Sequence, residues 1–367
     1  MQIHGDKEAL VEIGQSVLRV VSPRATLPVL GGVKITAGRD NSVEFAATDL
    51  EIFITVKGEF SVAEQGSIVV PGRLFGEILR SLPSGKVTIE GTDSDIKIES
   101  GRSEFSVTGY SVSDFPQAPQ VNEGSVCTVP GAELARSLRQ VVRAVSTDEA
   151  RPVLTGVLWA VEGGSLRLVS TDSYRLAVRE VVVKEGPSEG RSIIPGRALA
   201  EFARHLAGVG DEEVSITLGE SQASFVAGNT QLTTRLIEGE FPNWRHLVPD
   251  GYQSKLVIDR EEFTRAVERV GLVARANTPV KFHLGDEVQL TATEAGVADA
   301  SEVVEGGSYS GEPMTIAFNP RFFNDGLDGL ESDKAELEVI DPTKPAILRA
   351  EGRDDFIYLL MPVRLAG

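Results

Sequence analysis

Three short marks recur through the chain in one register, at an interval long enough to hold a domain. Val70-Pro71-Gly72-Arg73 returns as Ile194-Pro195-Gly196-Arg197 and, more loosely, as Phe318-Asn319-Pro320-Arg321. The three arginines stand 124 residues apart. Ala47-Thr48-Asp49 returns as Ser170-Thr171-Asp172 and Ala292-Thr293-Glu294, and Asp114-Phe115-Pro116 as Glu240-Phe241-Pro242. Such a period is far too long for a solenoid repeat, so each copy must bury a core of its own. Three similar domains are expected, at residues 1–122, 123–250 and 251–367. Gln117 to Gly124 and Pro249 to Ser254 read as linkers.

A length of 367 residues suits this count, and 41% hydrophobic residues support ordinary soluble cores. No apolar run approaches the length of a membrane span, and the start Met1-Gln2-Ile3-His4 carries no secretory signal. A single cysteine, Cys127, excludes an internal disulfide and fits a reducing cytoplasm. The net charge of −18 argues against nucleic acid, unless positive charge is gathered on one face.

Each copy reads as helix, strands, helix, strands, which makes the fold α+β. The first helices carry apolar residues at three- and four-residue steps: Leu10, Ile13 and Val17, then Leu134, Leu138 and Val141, then Phe263, Val267 and Val270. Asp259 is placed to cap the third. Strands are predicted at Gly32 to Thr36, Ser42 to Ala47, Val157 to Val161 and Ser165 to Ser170. Second helices are predicted after the Pro-Gly-Arg mark, at Leu74 to Leu82, Leu199 to Leu206 and Phe322 to Leu330. Period-two alternation follows, as in Val87, Ile89, Ile96, Ile98, Phe105 and Val107.

Basic residues gather on the helices. Arg136, Arg139 and Arg143 form one stripe, Arg73 pairs in register with Arg80, and Arg197 with Arg204. Arg265 and Arg269 share a face in the third copy. One such helix is an ordinary solvated face; recurrence at equivalent places points to a surface that meets phosphate. No zinc finger, aromatic RNA-binding signature or basic zipper accompanies it, so the surface would be indifferent to sequence.

Motifs of catalysis are absent: no phosphate loop, no dinucleotide fingerprint and no nucleophile elbow. His4, His205, His246 and His283 lack metal-ligand spacing. Asp49 and Asp172 invite an acid–base reading, but their place at a repeated strand-end turn fits an Asx hydrogen bond to backbone. No catalytic residue, metal or cofactor is expected.

Over its whole length the chain resembles the bacterial DNA polymerase III beta subunit family, the replicative sliding clamps. The residues that carry the likeness are Thr26-Leu27-Pro28-Val29-Leu30, Ser170 to Val178, Gly239-Glu240-Phe241-Pro242-Asn243-Trp244-Arg245 and Met361-Pro362-Val363-Arg364-Leu365. The resemblance implies three clamp-type domains, each with two helices packed on antiparallel sheets, making half of a closed ring. Two subunits head to tail would enclose double-stranded DNA, with helices lining the hole. DNA-facing residues would be Arg24, Arg73, Arg80, Arg136, Arg139, Arg143, Arg197 and Arg204. Phe105 and Val107 would meet Leu272 and Val273 across the seam of a homodimer.

The family also implies one peptide pocket per subunit, which receives the DNA polymerase III alpha subunit, the clamp loader and other motif-bearing proteins. Its wall here would be Leu154, Thr171, Ser173, Tyr174, Arg175, Leu176, Pro242, Leu247, Asn319, Phe322, Met361, Pro362, Val363, Arg364 and Leu365. The apolar members give a floor, and Arg175 and Arg364 are expected to bind peptide carbonyls or an acidic flank. This sequence departs from the family in a few places. Ala366-Gly367 extends the usual terminal leucine. Tyr174 and His246 stand where other residues are common, and Asp148 takes a place that can be a DNA-contacting glutamine. Glu104 and Ala298 do not clearly keep a charged pair at the seam. A cytoplasmic processivity factor with no catalytic site and no membrane partner is the expected role. A hydrolase using Asp49 or Asp172 is the second reading, and a peptide-binding scaffold that has left replication the third.

Overall fold

The structure is a computed structural model that describes residues 1–21, 27–121, 124–183, 189–208, 210, 212–274 and 278–365. Among the described residues are six α-helices: α1 (Lys7–Leu18), α2 (Gly72–Ser81), α3 (Gly131–Val141), α4 (Gly196–His205), α5 (Arg260–Gly271) and α6 (Pro320–Leu327). The strands form four antiparallel sheets. The chain divides into two compact units. One is built mainly from Met1–Ala135 and Ala198–Leu236, the other mainly from Arg136–Val183 and the chain from Ile237 onward. The middle repeat is thus shared between them.

In the first unit, the strands Ser61–Glu64, Gln2–Asp6, Lys86–Gly91, Asp95–Ser100 and Ser103–Thr108 lie side by side in that order. The other sheet has eight strands and draws on two repeats. Its joint is the pairing of Thr230–Arg235 with Ile52–Glu59, which sets Thr230 opposite Val56 and Thr234 opposite Ile52. The period-two residues Val87, Ile89, Ile96 and Ile98 are all buried, as half-covered antiparallel strands require.

The second unit repeats the joint. Arg175–Val182 pairs with Phe356–Leu360 inside a nine-stranded sheet, with Arg175 opposite Leu360. A four-stranded sheet follows the order Ala298–Val304, Val288–Glu294, Val280–Leu284 and Met314–Phe318. Phe263 of α5 and Phe323 of α6 meet Phe282 and Phe318 of that sheet in a core of tilted and edge-on rings.

The first helices fall where periodicity places them. Asp6 accepts from the Glu8 N–H at the start of α1, and Asp259 from the Glu262 N–H at the start of α5. The second helices correct the expectation. They begin within the Pro-Gly-Arg mark, at Gly72 and Gly196, not after it. Glycine is needed there for space. A Cβ on Gly72 would lie 3.0 Å from Leu18 Cδ2, and one on Gly196 2.8 Å from Val145 Cγ1. The third copy inverts the arrangement. Pro320 takes the glycine's place, and the last residue of α5, where α1 has Leu18, is Gly271, whose Cβ would stand 3.1 Å from Pro320 Cβ. Asn319 then caps α6, accepting from the N–H groups of Arg321 and Phe322. The looseness of the third mark therefore has a packing cause.

Candidate peptide pocket and nucleic-acid face

The repeated Thr-Asp turn has the same wiring in copies one and two. The Thr48 hydroxyl donates to the Ile52 carbonyl and accepts from the Leu50 N–H; Thr171 does the same with Arg175 and Ser173. Asp49 Oδ1 accepts from the Glu51 and Ile52 N–H groups, and Asp172 Oδ1 from those of Tyr174 and Arg175. These are the Asx bonds expected from the sequence. The wiring holds Leu50 at φ 79° and Ser173 at φ 78°, left-handed conformations that side chains rarely adopt.

In copy two this turn lies against α6, where the sequence places the peptide groove. Tyr174 is 62% exposed, and its ring stacks on half-buried Phe322 of α6 at 6.3 Å between centroids. The chain end runs beside them. The Met361 N–H donates to the Tyr174 carbonyl and the Val363 N–H to the Ala317 carbonyl, so Met361 to Leu365 lies strung between the turn and the strand before α6. Met361, Val363 and Leu365 expose much of their apolar side chains there, and Leu247 is similarly exposed. Pro242 and Arg364 are exposed and Pro362 half-buried. Behind the groove, Leu158, Val169, Leu176, Val178, Ile193, Trp244 and Leu359 pack as a core, with Phe241 of the third mark against it.

Several expected wall residues are buried or already bonded within the protein. Leu154, Thr171 and Leu176 are buried, and Asn319 is committed to capping α6. Arg175 is the main correction. It is only 6% exposed, and its guanidinium donates to Asp172 (3.0 Å), to Asp325 and to the Tyr358 hydroxyl (3.1 Å), while lying over the Phe322 ring at 4.2 Å. Burial works against its charge, yet Tyr358, Asp325 and Asp172 hold it protonated beyond its usual value. It is spent inside the protein and does not offer itself to peptide carbonyls. Burial likewise pushes the Tyr358 phenol far above its usual range, and its hydroxyl donates to the Phe322 carbonyl. Asp325, Tyr358 and Arg151, whose Nη1 donates to Ser173 Oγ at 2.8 Å, were not legible as site residues. Asp148 accepts from the Ala150 N–H and ion-pairs with Arg151 at 3.0 Å, bonds that hold its carboxyl below the usual range.

The arginine stripes also differ from expectation. Arg139 is exposed, but Arg136 pairs with Glu331 (3.4 Å), and Arg143 with Asp328 (2.9 Å) and Asp325 (3.5 Å). Arg73 pairs with Glu77 and Arg204 with Glu201. Arg265 pairs with Glu261 and Glu262, and Arg269 with Glu302. Arg80 and Arg197 are exposed, and Arg24 lies outside the described residues, as does Ala366-Gly367. A carboxylate three or four residues away on the same helix accounts for most of this pairing in α2, α4 and α5. Where both partners are exposed, as in Arg73–Glu77 and Arg265–Glu261, the pair is weakly held and an approaching phosphate displaces it readily.

Of the seam residues, Leu272 is 85% exposed and Phe105 and Val273 are half-buried. Val107 is buried in the chain's own sheet opposite Ile96, which corrects its reading as a surface contact. No group of three or more metal-binding side chains occurs among the described residues, and no helix there is long and apolar enough to cross a membrane.

Three helix-on-sheet modules joined by strand pairing define a clamp-type architecture. Comparison with known proteins agrees in every part of the chain. Residues 1–119, 128–243 and 245–364 match the family models of the N-terminal, central and C-terminal domains of the DNA polymerase III beta subunit. A beta sliding clamp of Staphylococcus aureus is 36% identical over 359 residues, covering 95% of both chains. The crystal structure of the Bacillus subtilis DNA polymerase sliding clamp superposes with a TM-score of 0.92 at 31% identity, covering all of both chains. The Bartonella birtlesii sliding clamp, solved bound to griselimycin, gives 0.92 at 30% identity over the same full coverage. The chain belongs to the DNA polymerase III beta subunit family, the beta sliding clamps, whose members are processivity factors and not catalytic subunits.

Proposed function

We propose that this chain acts as a replicative clamp: a head-to-tail homodimer closes around duplex DNA and slides without reading sequence. The Tyr174–Phe322 groove tethers the DNA polymerase III alpha subunit, the clamp loader and other partners that carry an apolar motif. It has no catalytic site of its own and works in the cytoplasm. The three domains are bounded near residues 122 and 250.

One observation carries the ring. Each copy ends its strands with an equivalent strand: Ser103–Thr108, Thr230–Arg235 and Phe356–Leu360. The second pairs with Ile52–Glu59 of copy one, and the third with Arg175–Val182 of copy two. The remaining partners, Ser103–Thr108 and Ala298–Val304, are both sheet edges. An open edge is a template for another chain. A second copy completes the missing pair, and because the two edges differ the contact is heterologous and closes by rotation.

Topology then holds the DNA, so contacts need only be weak and screened. Arginines already balanced by nearby carboxylates suit that task. In the groove, burial of one leucine anchor supplies about 1.5–3 kcal/mol. The test is retention after loading. Clamp on closed circular DNA is expected to stay through gel filtration and to leave when the circle is cut; equal retention on linear DNA would rule out topological holding. A purely monomeric mass by light scattering at micromolar concentration would count equally against the ring.

A further inference from the structure

Asp325 of α6 serves two arginines at once. Its Oδ1 lies 3.5 Å from Nη1 of Arg143, on the stripe read above as meeting phosphate. Its Oδ2 accepts from Nη1 of Arg175, the residue that anchors the Thr171–Arg175 turn and covers the Phe322 ring. One carboxylate thus stands between the arginine stripe and the groove wall.

The repeat provides a control within the same molecule. One period earlier, Arg19 and Glu201 occupy the places of Arg143 and Asp325, and they too are paired, at 3.8 Å. There the residue corresponding to Arg175 is Ile52, which is buried. Glu201 pairs with Arg19, Arg204 and His205, none of them on the Thr48–Ile52 turn. The arginine–carboxylate pair therefore belongs to the repeated fold. The second arginine is an addition, found in the copy that carries the Tyr174–Phe322 groove.

We propose that Asp325 is a positioning residue that couples the two surfaces. Phosphate at Arg143 draws that guanidinium away from Asp325, whose charge then falls to Arg175 alone. The turn is held more firmly against α6, the gap between Tyr174 and Phe322 is fixed, and the groove loses less freedom when a peptide enters. By linkage, peptide in the groove tightens DNA by the same factor. The proposal rests on the reading of the Arg143 face as phosphate-binding and of the groove as the peptide site.

The experiment measures fluorescence anisotropy of a labelled peptide, the clamp-binding segment of a DNA polymerase III alpha subunit, on the full chain with and without saturating short duplex DNA. In the wild type the duplex is expected to lower the peptide Kd about fivefold. Asp325→Asn is expected to bring that ratio to one, and Glu201→Gln to leave it at fivefold. Should circular dichroism show Asp325→Asn unfolded, Arg143→Gln, altered on a partly exposed face, is expected to abolish the ratio in its place. A ratio of one in the wild type with both ligands bound, or an unchanged ratio in the folded variant, overturns the coupling. Failure of either ligand to bind the wild type on its own overturns the functional reading, and the coupling with it.

Discussion

At the scale of single residues, the two repeated aspartates separate structure from chemistry. Asp49 and Asp172 make the same pair of backbone bonds, but Asp172 also pairs with buried Arg175. Losing turn bonds costs about 1 kcal/mol, and taking away one of the two carboxylates that balance buried Arg175 adds to that cost. Asp172→Ala is therefore expected to lower the thermal midpoint more than Asp172→Asn, which keeps an acceptor for the turn, as scanning calorimetry can check. His205 gives a pH signature. Burial, then the charges of Arg19 and Arg204, push its pKa down to about 4. The Glu201 carboxylate 3.7 Å away acts in the opposite sense, but Arg19 and Arg204 already draw on its charge. Because the folded value lies below the unfolded one, the unfolded chain takes the proton first. Stability is full above about pH 6.5 and falls between there and about pH 4, by about 3 kcal/mol at most. His205→Gln is expected to flatten that part of a denaturation-against-pH profile.

Elements show how far sequence reaches. The strands Gly32–Ala37, Ser42–Thr48, Gly156–Glu162 and Ser165–Thr171 lie within a residue of the strand-like stretches in the sequence, because short apolar and β-branched runs mark them even where, as in Gly156–Glu162, both faces are buried and no alternation shows. The Asx turns were equally legible, since their bonds run between neighbours. The Arg175 cluster was not: Arg175 and Asp325 are 150 residues apart, and no local pattern records the meeting. For the same reason the stripe of Arg136 and Arg143 was visible, while its carboxylates on and after α6 were not. The helix start inside Pro-Gly-Arg was missed because its cause is close approach. That cause is testable. A Cβ on Gly196 would meet Val145 Cγ1 and Cγ2 at 2.8 and 2.9 Å and the Thr155 carbonyl at 3.1 Å, whereas one on Gly208 meets nothing within 4 Å. Gly196→Ala is expected to destabilise by about 1–3 kcal/mol through overpacking. Gly208→Ala is expected to be near neutral, and Val145→Ala to restore part of the loss in the double variant. Thermal melts of the three proteins decide it.

For the whole molecule, the repeat says what the seam between two copies lacks. Within the chain, the arginine after the first helix meets a carboxylate on the next copy's second helix: Arg19 with Glu201, and Arg143 with Asp325. In the third copy the residue that caps α5, where Arg19 caps α1, is Leu272. On α2 the carboxylate equivalent to Glu201 is Glu77, already paired with Arg73. If two copies close as proposed, an exposed leucine replaces the cation at the seam, and that contact is apolar. Apolar burial is insensitive to screening, while an exposed ion pair is weakened by salt. The dimer, at twice 39.3 kDa by light scattering, is therefore expected to persist from 0.1 to about 1 M salt. Leu272→Asp, which sets a like charge beside Glu77, is expected to give a folded monomer. Leu272→Arg restores the pairing used inside the chain, so its dimer is expected to form at low salt and dissociate at high salt. A salt-sensitive wild type with a salt-resistant Leu272→Arg variant would reverse the assignment and place the ion pair, not the leucine, at the seam.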